Sequence, residues 1–75
     1  MLDTFNTFVL KGCNKYGLNY SIISRYGAME WKALIRIYLQ KGYLDRAKWA
    51  FVGYKKLGGK ETFRKIKYYA INKRR

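Results

Sequence analysis

From Glu30 to Gly59 the chain reads EWKALIRIYLQKGYLDRAKWAFVGYKKLGG, with apolar residues recurring at spacings of three and four. That period belongs to one face of an α-helix. Trp31, Leu34, Ile35 and Tyr38 make a first stripe. Gly42 can take the left-handed conformation that ends a helix. Leu44, Ala47, Ala50, Phe51 and Tyr54 make a second stripe, closed by Gly58 and Gly59. The pattern predicts a hairpin of two amphipathic helices, 31–41 (its first turn beginning at residue 29) and 44–57.

The flanking stretches follow the same period. Residues 2–16 read as a helix capped by Asp3 or Thr4, with Phe5, Phe8, Val9, Gly12, Cys13 and Tyr16 on one side. Gly12 and Gly53 are read as places where another helix can come close, Gly53 alternatively as a bend. Residues 18–27 hold a short helix at best, with Leu18, Ile22, Ile23 and Tyr26 as contacts. Residues 20–37 echo a helix-turn-helix, but Trp31 and Leu34 read as inward-facing and base-reading side chains are few. Residues 60–73 read as a basic helix with Phe63, Ile66, Tyr69 and Ala70 inward; the β-formers of TFRKIKYYAI leave a small β-hairpin open as an alternative. The expected fold is therefore all-α, a small compact bundle of four to five short helices around the hairpin. It forms one domain over 1–72, followed by a basic tail, 73–75.

Charge is the second constraint. The chain of 75 residues carries a net +13. Residues 1–31 contribute three cations against two acids, and residues 32–75 fourteen against two, so the excess is concentrated after residue 31. Such a field repels itself and attracts polyanions. Forty-nine per cent hydrophobic content, including fourteen Phe, Trp and Tyr residues, supplies the opposing burial and argues against disorder.

Catalytic patterns are absent from the sequence. It has no His and one Cys, so no standard zinc site can form within one chain. Cys13 lies on an apolar stripe and reads as a buried thiol. Asp3, Glu30, Asp45 and Glu61 are scattered at helix starts, where capping and dipole roles suit them better than paired acid–base chemistry. GGKET at 58–62 lacks the spacing of a phosphate loop. No enzyme, cofactor or small-molecule substrate is expected. No run approaches the roughly 18 apolar residues of a membrane span, and the N-terminus lacks the pattern of a signal peptide. An intracellular, cytoplasmic protein is the expectation, in the host cytoplasm if the chain is viral.

Trp31, the Leu34–Ile35 pair, Tyr38, Gly42, Leu44, Ala47, Phe51, Tyr54 and Gly58 stand in an order that resembles a single helical-hairpin repeat of the pentatricopeptide or tetratricopeptide kind. The resemblance covers 31–58 and implies shape, with a tilt towards RNA or protein binding. There is no second clean copy, whereas solenoids need about three. Ala33 stands where such a repeat would read a base, so a base-by-base code does not carry over.

Nucleic acid is the leading expected partner, bound through backbone phosphates and stacking on aromatics. The expected surface is the outside of the second hairpin helix and its continuation: Arg46, Lys48, Trp49, Lys55, Lys56, Lys60, Arg64, Lys67, Tyr68, Lys73, Arg74 and Arg75. The alternative is a small phage-like regulator docked on the acidic surface of a larger protein machine. A cationic helical domain lying on anionic lipid is a third reading, disfavoured because the inward stripes already suit one another.

Overall fold

The computed structural model describes residues 4–72 and forms five helices over them: α1 (Thr4–Tyr16), α2 (Tyr20–Ile23), α3 (Ala28–Lys41), α4 (Leu44–Lys56) and α5 (Phe63–Asn72). Asp3 and the tail 73–75 lie outside the described residues. The region 63–72 is helical, which removes the β-hairpin alternative.

Local chemistry sets the helix ends. The Asn19 side chain accepts from the Ser21 amide at 2.9 Å and starts α2. At the start of α3, the Glu30 carboxylate reaches back to accept the Gly27 amide at 3.0 Å, half of a capping box. Thr62 starts α5 by accepting the Lys65 amide at 3.1 Å. Gly42 ends α3 at φ 82°, so that the Tyr43 amide bonds back to the Tyr38 carbonyl at 2.9 Å. This is the Schellman closure, and the Tyr38 and Tyr43 rings supply its apolar contact at 6.2 Å. An L side chain at Gly42 would be strained by about 1 kcal/mol or more.

The hairpin is the centre. α3 packs most extensively on α4 and next on α5, while α1 covers α4 and carries α2. Trp31, Ile35, Tyr38 and Leu39 of α3 meet Ala47, Ala50, Gly53 and Tyr54 of α4. Small residues on the α4 side let large ones on α3 approach. A Cβ on Gly53 would lie 2.7 Å from the Trp31 ring, so Gly53 serves contact with an aromatic ring. Gly12 of α1 is likewise filled by the Trp49 indole, and Gly59 by the Tyr54 ring. Three aromatic rings thus rest directly on glycine backbone. Trp31 is wholly buried and touches the rings of Phe5, Phe8, Tyr26 and Trp49, at centroid distances of 5.1–6.4 Å.

α5 reaches its place by winding round Tyr54. The Gly59 backbone sits on the Tyr54 ring and the Tyr54 hydroxyl accepts the Glu61 amide at 3.1 Å. The helix then lies along α3 with Ile66 and Ala70 buried. Phe63 touches Phe51 of α4, with ring centroids 5.3 Å apart. Tyr69, expected inward, is 46% exposed. Ile66 and Ala70, one turn apart, take the buried line and leave Tyr69 on the flank beside α3.

Gly12→Ala and Gly53→Ala should both destabilise, although alanine is the better helix former by about 1 kcal/mol. The added methyl overpacks against buried indoles, at about 1–3 kcal/mol. Thermal melts should show a net loss of up to about 15 °C, larger for Gly12→Ala because the methyl would fall within the Trp49 ring.

Candidate nucleic-acid interface

α4 presents three of its four cations to solvent. Lys48, Lys55 and Lys56 are exposed, with Val52 between them. Lys55 rests its ammonium 6.0 Å from the Phe51 ring and Lys56 reaches across to Phe8 of α1 at 5.7 Å. Long stems thus cover aromatic edges while the charges stay in water. Lys60, Arg64, Lys67 and Tyr68 are exposed along the loop and outer side of α5. The expected site therefore divides between two helices. Lys73, Arg74 and Arg75 fall outside the described residues.

Two of the expected residues have other surroundings. Trp49 is correctly placed on α4 but unsuited to stacking on a base. Its indole fills the Gly12 gap, stacks on Phe8 at 5.7 Å and meets Tyr16 at 5.5 Å, with Nε1 buried. Arg46 is half-buried among three tyrosines, its guanidinium 4.7 Å from the Tyr43 ring, 5.3 Å from Tyr16 and 5.9 Å from Tyr38. Guanidinium over aromatic faces is worth about 0.5–2 kcal/mol per favourable contact. Arg46 therefore joins the ends of α1, α3 and α4 as well as presenting charge.

The structure also assembles a cleft that the periodicity did not reveal. It has a volume of about 700 Å³ and lies between α3 and α5. Lys32, Arg36 and Gln40 line one wall; Lys65 and Tyr69 line the other, above Ile66. Lys32 and Arg36 are half-buried here. The cleft is closed at one end by the Lys32–Glu61 ion pair at 3.4 Å. At the other end, the Gln40 amide donates to the Ala70 carbonyl at 3.0 Å. Glu61 thus neutralises one of three cations, and no carboxylate pairs with Arg36 or Lys65 among the described residues. The sequence signal is the polar line 32, 36, 40 on α3 beside the pair 65, 69 on α5. Each line is visible alone; that they face one another is decided by packing.

Two weakly acidic side chains are buried elsewhere in the molecule. Burial pushes the Tyr38 phenol above its ordinary 10.0, partly opposed by the Arg46 charge, and burial also raises the Cys13 thiol above 9.0. The chain matches no known protein family, no curated protein and no solved structure.

The two raised values fix a sign. The unfolded chain releases these protons first, so their contribution is complete below the ordinary values and is lost as pH rises through the folded ones. Melting temperature should fall as pH passes 9.0 and then 10.0. Tyr38→Phe removes a buried hydroxyl that makes no well-formed hydrogen bond and has the Arg46 guanidinium as its polar neighbour. It should change neutral-pH stability little and flatten the alkaline loss, as followed by circular dichroism.

Proposed function

We propose that this is a small, basic, non-enzymatic nucleic-acid-binding protein that holds its ligand by backbone phosphates and exposed aromatic rings. The observation that carries the reading is the distribution of charge. No charged side chain of the described residues is buried, and Lys32–Glu61 is the ion pair found among them. The other cations of α3, α4 and α5 stand in water or over aromatic faces, without carboxylates to neutralise them. A surface of this kind releases condensed counterions when it meets a polyphosphate, which is a large favourable term at low salt. Exposed Tyr43 and Tyr68, the latter 59% accessible, supply faces on which unpaired bases can stack. The helical-hairpin resemblance of 31–58 tilts the same way.

A second reading has one observation in its favour. Met29 is 71% exposed and Ile37 46%, and with Ala33 they form an i, i+4, i+8 line on the outer side of α3. Such a line beside basic residues suits an acidic protein partner with an apolar centre. Among the described residues no helix is long and apolar enough to cross a membrane.

Binding of labelled RNA and DNA, followed by fluorescence anisotropy over a salt series, tests the first reading. The logarithm of the affinity should fall linearly with the logarithm of salt, with a slope of about 0.7 per phosphate contacted on a single strand. Absence of binding at low salt, or affinity indifferent to salt, rejects it. A partner protein retained after nuclease digestion of a cell extract favours the second.

A further inference from the structure

We infer that the α3–α5 cleft is a single-strand site, seating a phosphate between Arg36 and Lys65 and an unpaired base against Tyr69. This rests on the nucleic-acid reading and specifies it: the outer faces of α4 and α5 supply general attraction, and the cleft supplies preference for strands whose bases are free.

Four features of the cleft point to that ligand. Its volume of about 700 Å³ falls within the usual range for a bound small group, about 300–1,000 Å³. Its length is set by the eight helical steps from Lys32 to Gln40, about 12 Å along the helix axis, and side-chain bonds to α5 or its approach bound both ends. Its charge is net positive: Lys32, Arg36 and Lys65 stand against Glu61. Glu61 already occupies Lys32, so the positive charge left for a ligand is centred on Arg36 and Lys65. Lastly, Tyr69 is an aromatic ring left 46% exposed on a cleft wall while its neighbours Ile66 and Ala70 are buried. The Tyr68 ring meets it edge-on at 5.4 Å, which steadies its orientation.

Phosphate and ring demands together select the strand form. A duplex presents phosphates outward but keeps its base faces stacked within, so Tyr69 would have nothing to contact. An unpaired nucleotide offers a phosphate to the two cations and a base face to the ring at once. Gln40 is held by Ala70 through its amide nitrogen, which leaves its carbonyl oxygen as an acceptor at that end of the cleft.

The test compares an unstructured oligonucleotide of about ten residues with a hairpin duplex of equal charge, each as RNA and as DNA, using the whole protein. Single strands should bind more tightly than the duplex. Tyr69→Ala should weaken single-strand binding roughly five- to a hundredfold and leave the duplex nearly unaffected, and Tyr69→Phe should restore it. Arg36→Ala and Lys65→Ala should each reduce the single-strand salt slope by about 0.7. Glu61→Gln should raise single-strand affinity, because it removes a like charge beside the phosphate. The outer pair Lys48→Ala and Lys55→Ala should lower both forms alike. Tyr69 and Lys65 are exposed, so the core survives these changes, and circular dichroism verifies the fold. If nucleic acid binds but the cleft variants lose no more than the outer pair, the cleft assignment is overturned and the general reading stands. If no nucleic acid binds at low salt, both fall.

Discussion

The contact between Trp31 and the backbone of Gly53 sets the geometry of the molecule. The indole is the largest fully buried side chain, and it lies where any side chain on Gly53 would have to be. That approach brings α3 and α4 together closely enough for Ala47 and Ala50 to be covered. It also leaves the other edges of the indole for Phe5, Phe8, Tyr26 and Trp49, through which α1 and the turn after α2 are held. One ring therefore gathers contacts from most of the chain. In a domain of this size, where roughly 60% of the unfolded surface is buried, that economy of core matters.

Aromatic burial is what allows the surface to be so strongly charged. Self-repulsion among exposed cations opposes compaction, and the core answers with large flat side chains rather than many aliphatic ones. Apart from Lys32, which pairs with Glu61, cations beside aromatic side chains are laid over rings, as Arg46 is over Tyr43, Tyr16 and Tyr38, and Lys56 over Phe8. The protein therefore keeps most of its positive field while using the stems and faces of its cationic side chains for packing. Ion pairing would have provided stability at the expense of that field.

The helices and the central hairpin were legible in the sequence because their signals are local: a three/four spacing, glycines at the ends, and Glu30 at a start; the last helix, read from residue 60, begins at Phe63, after the Thr62 cap. The burial of Trp31, Ile35, Ala47 and Ile66 follows from the same period. Four side chains take places that no single helix reveals. Trp49 lies off the main stripe of α4, and only the gap at Gly12, far away in sequence, gives its indole a packed, half-buried place. Tyr69 has the spacing of an inward residue, but Ile66 and Ala70 already fill the contact with α3. Lys32 and Arg36 look solvent-facing on α3 alone and become a cleft wall once α5 lies beside them. Periodicity tells which residues share a face; which neighbour that face meets is tertiary information.

The pairing of the two tryptophans separates what the molecule's own light emission can report. Trp31 in the core and the half-buried Trp49 packed against it lie 5.1 Å apart in a T-shaped arrangement, while the ring bordering the α3–α5 cleft is a tyrosine. Indole fluorescence and the near-ultraviolet dichroism of the coupled pair therefore track the integrity of the α1–α3–α4 junction. Tyrosine signals include the surface of α5. A single unlabelled sample can thus distinguish an event that loosens the core from one that only touches its basic exterior.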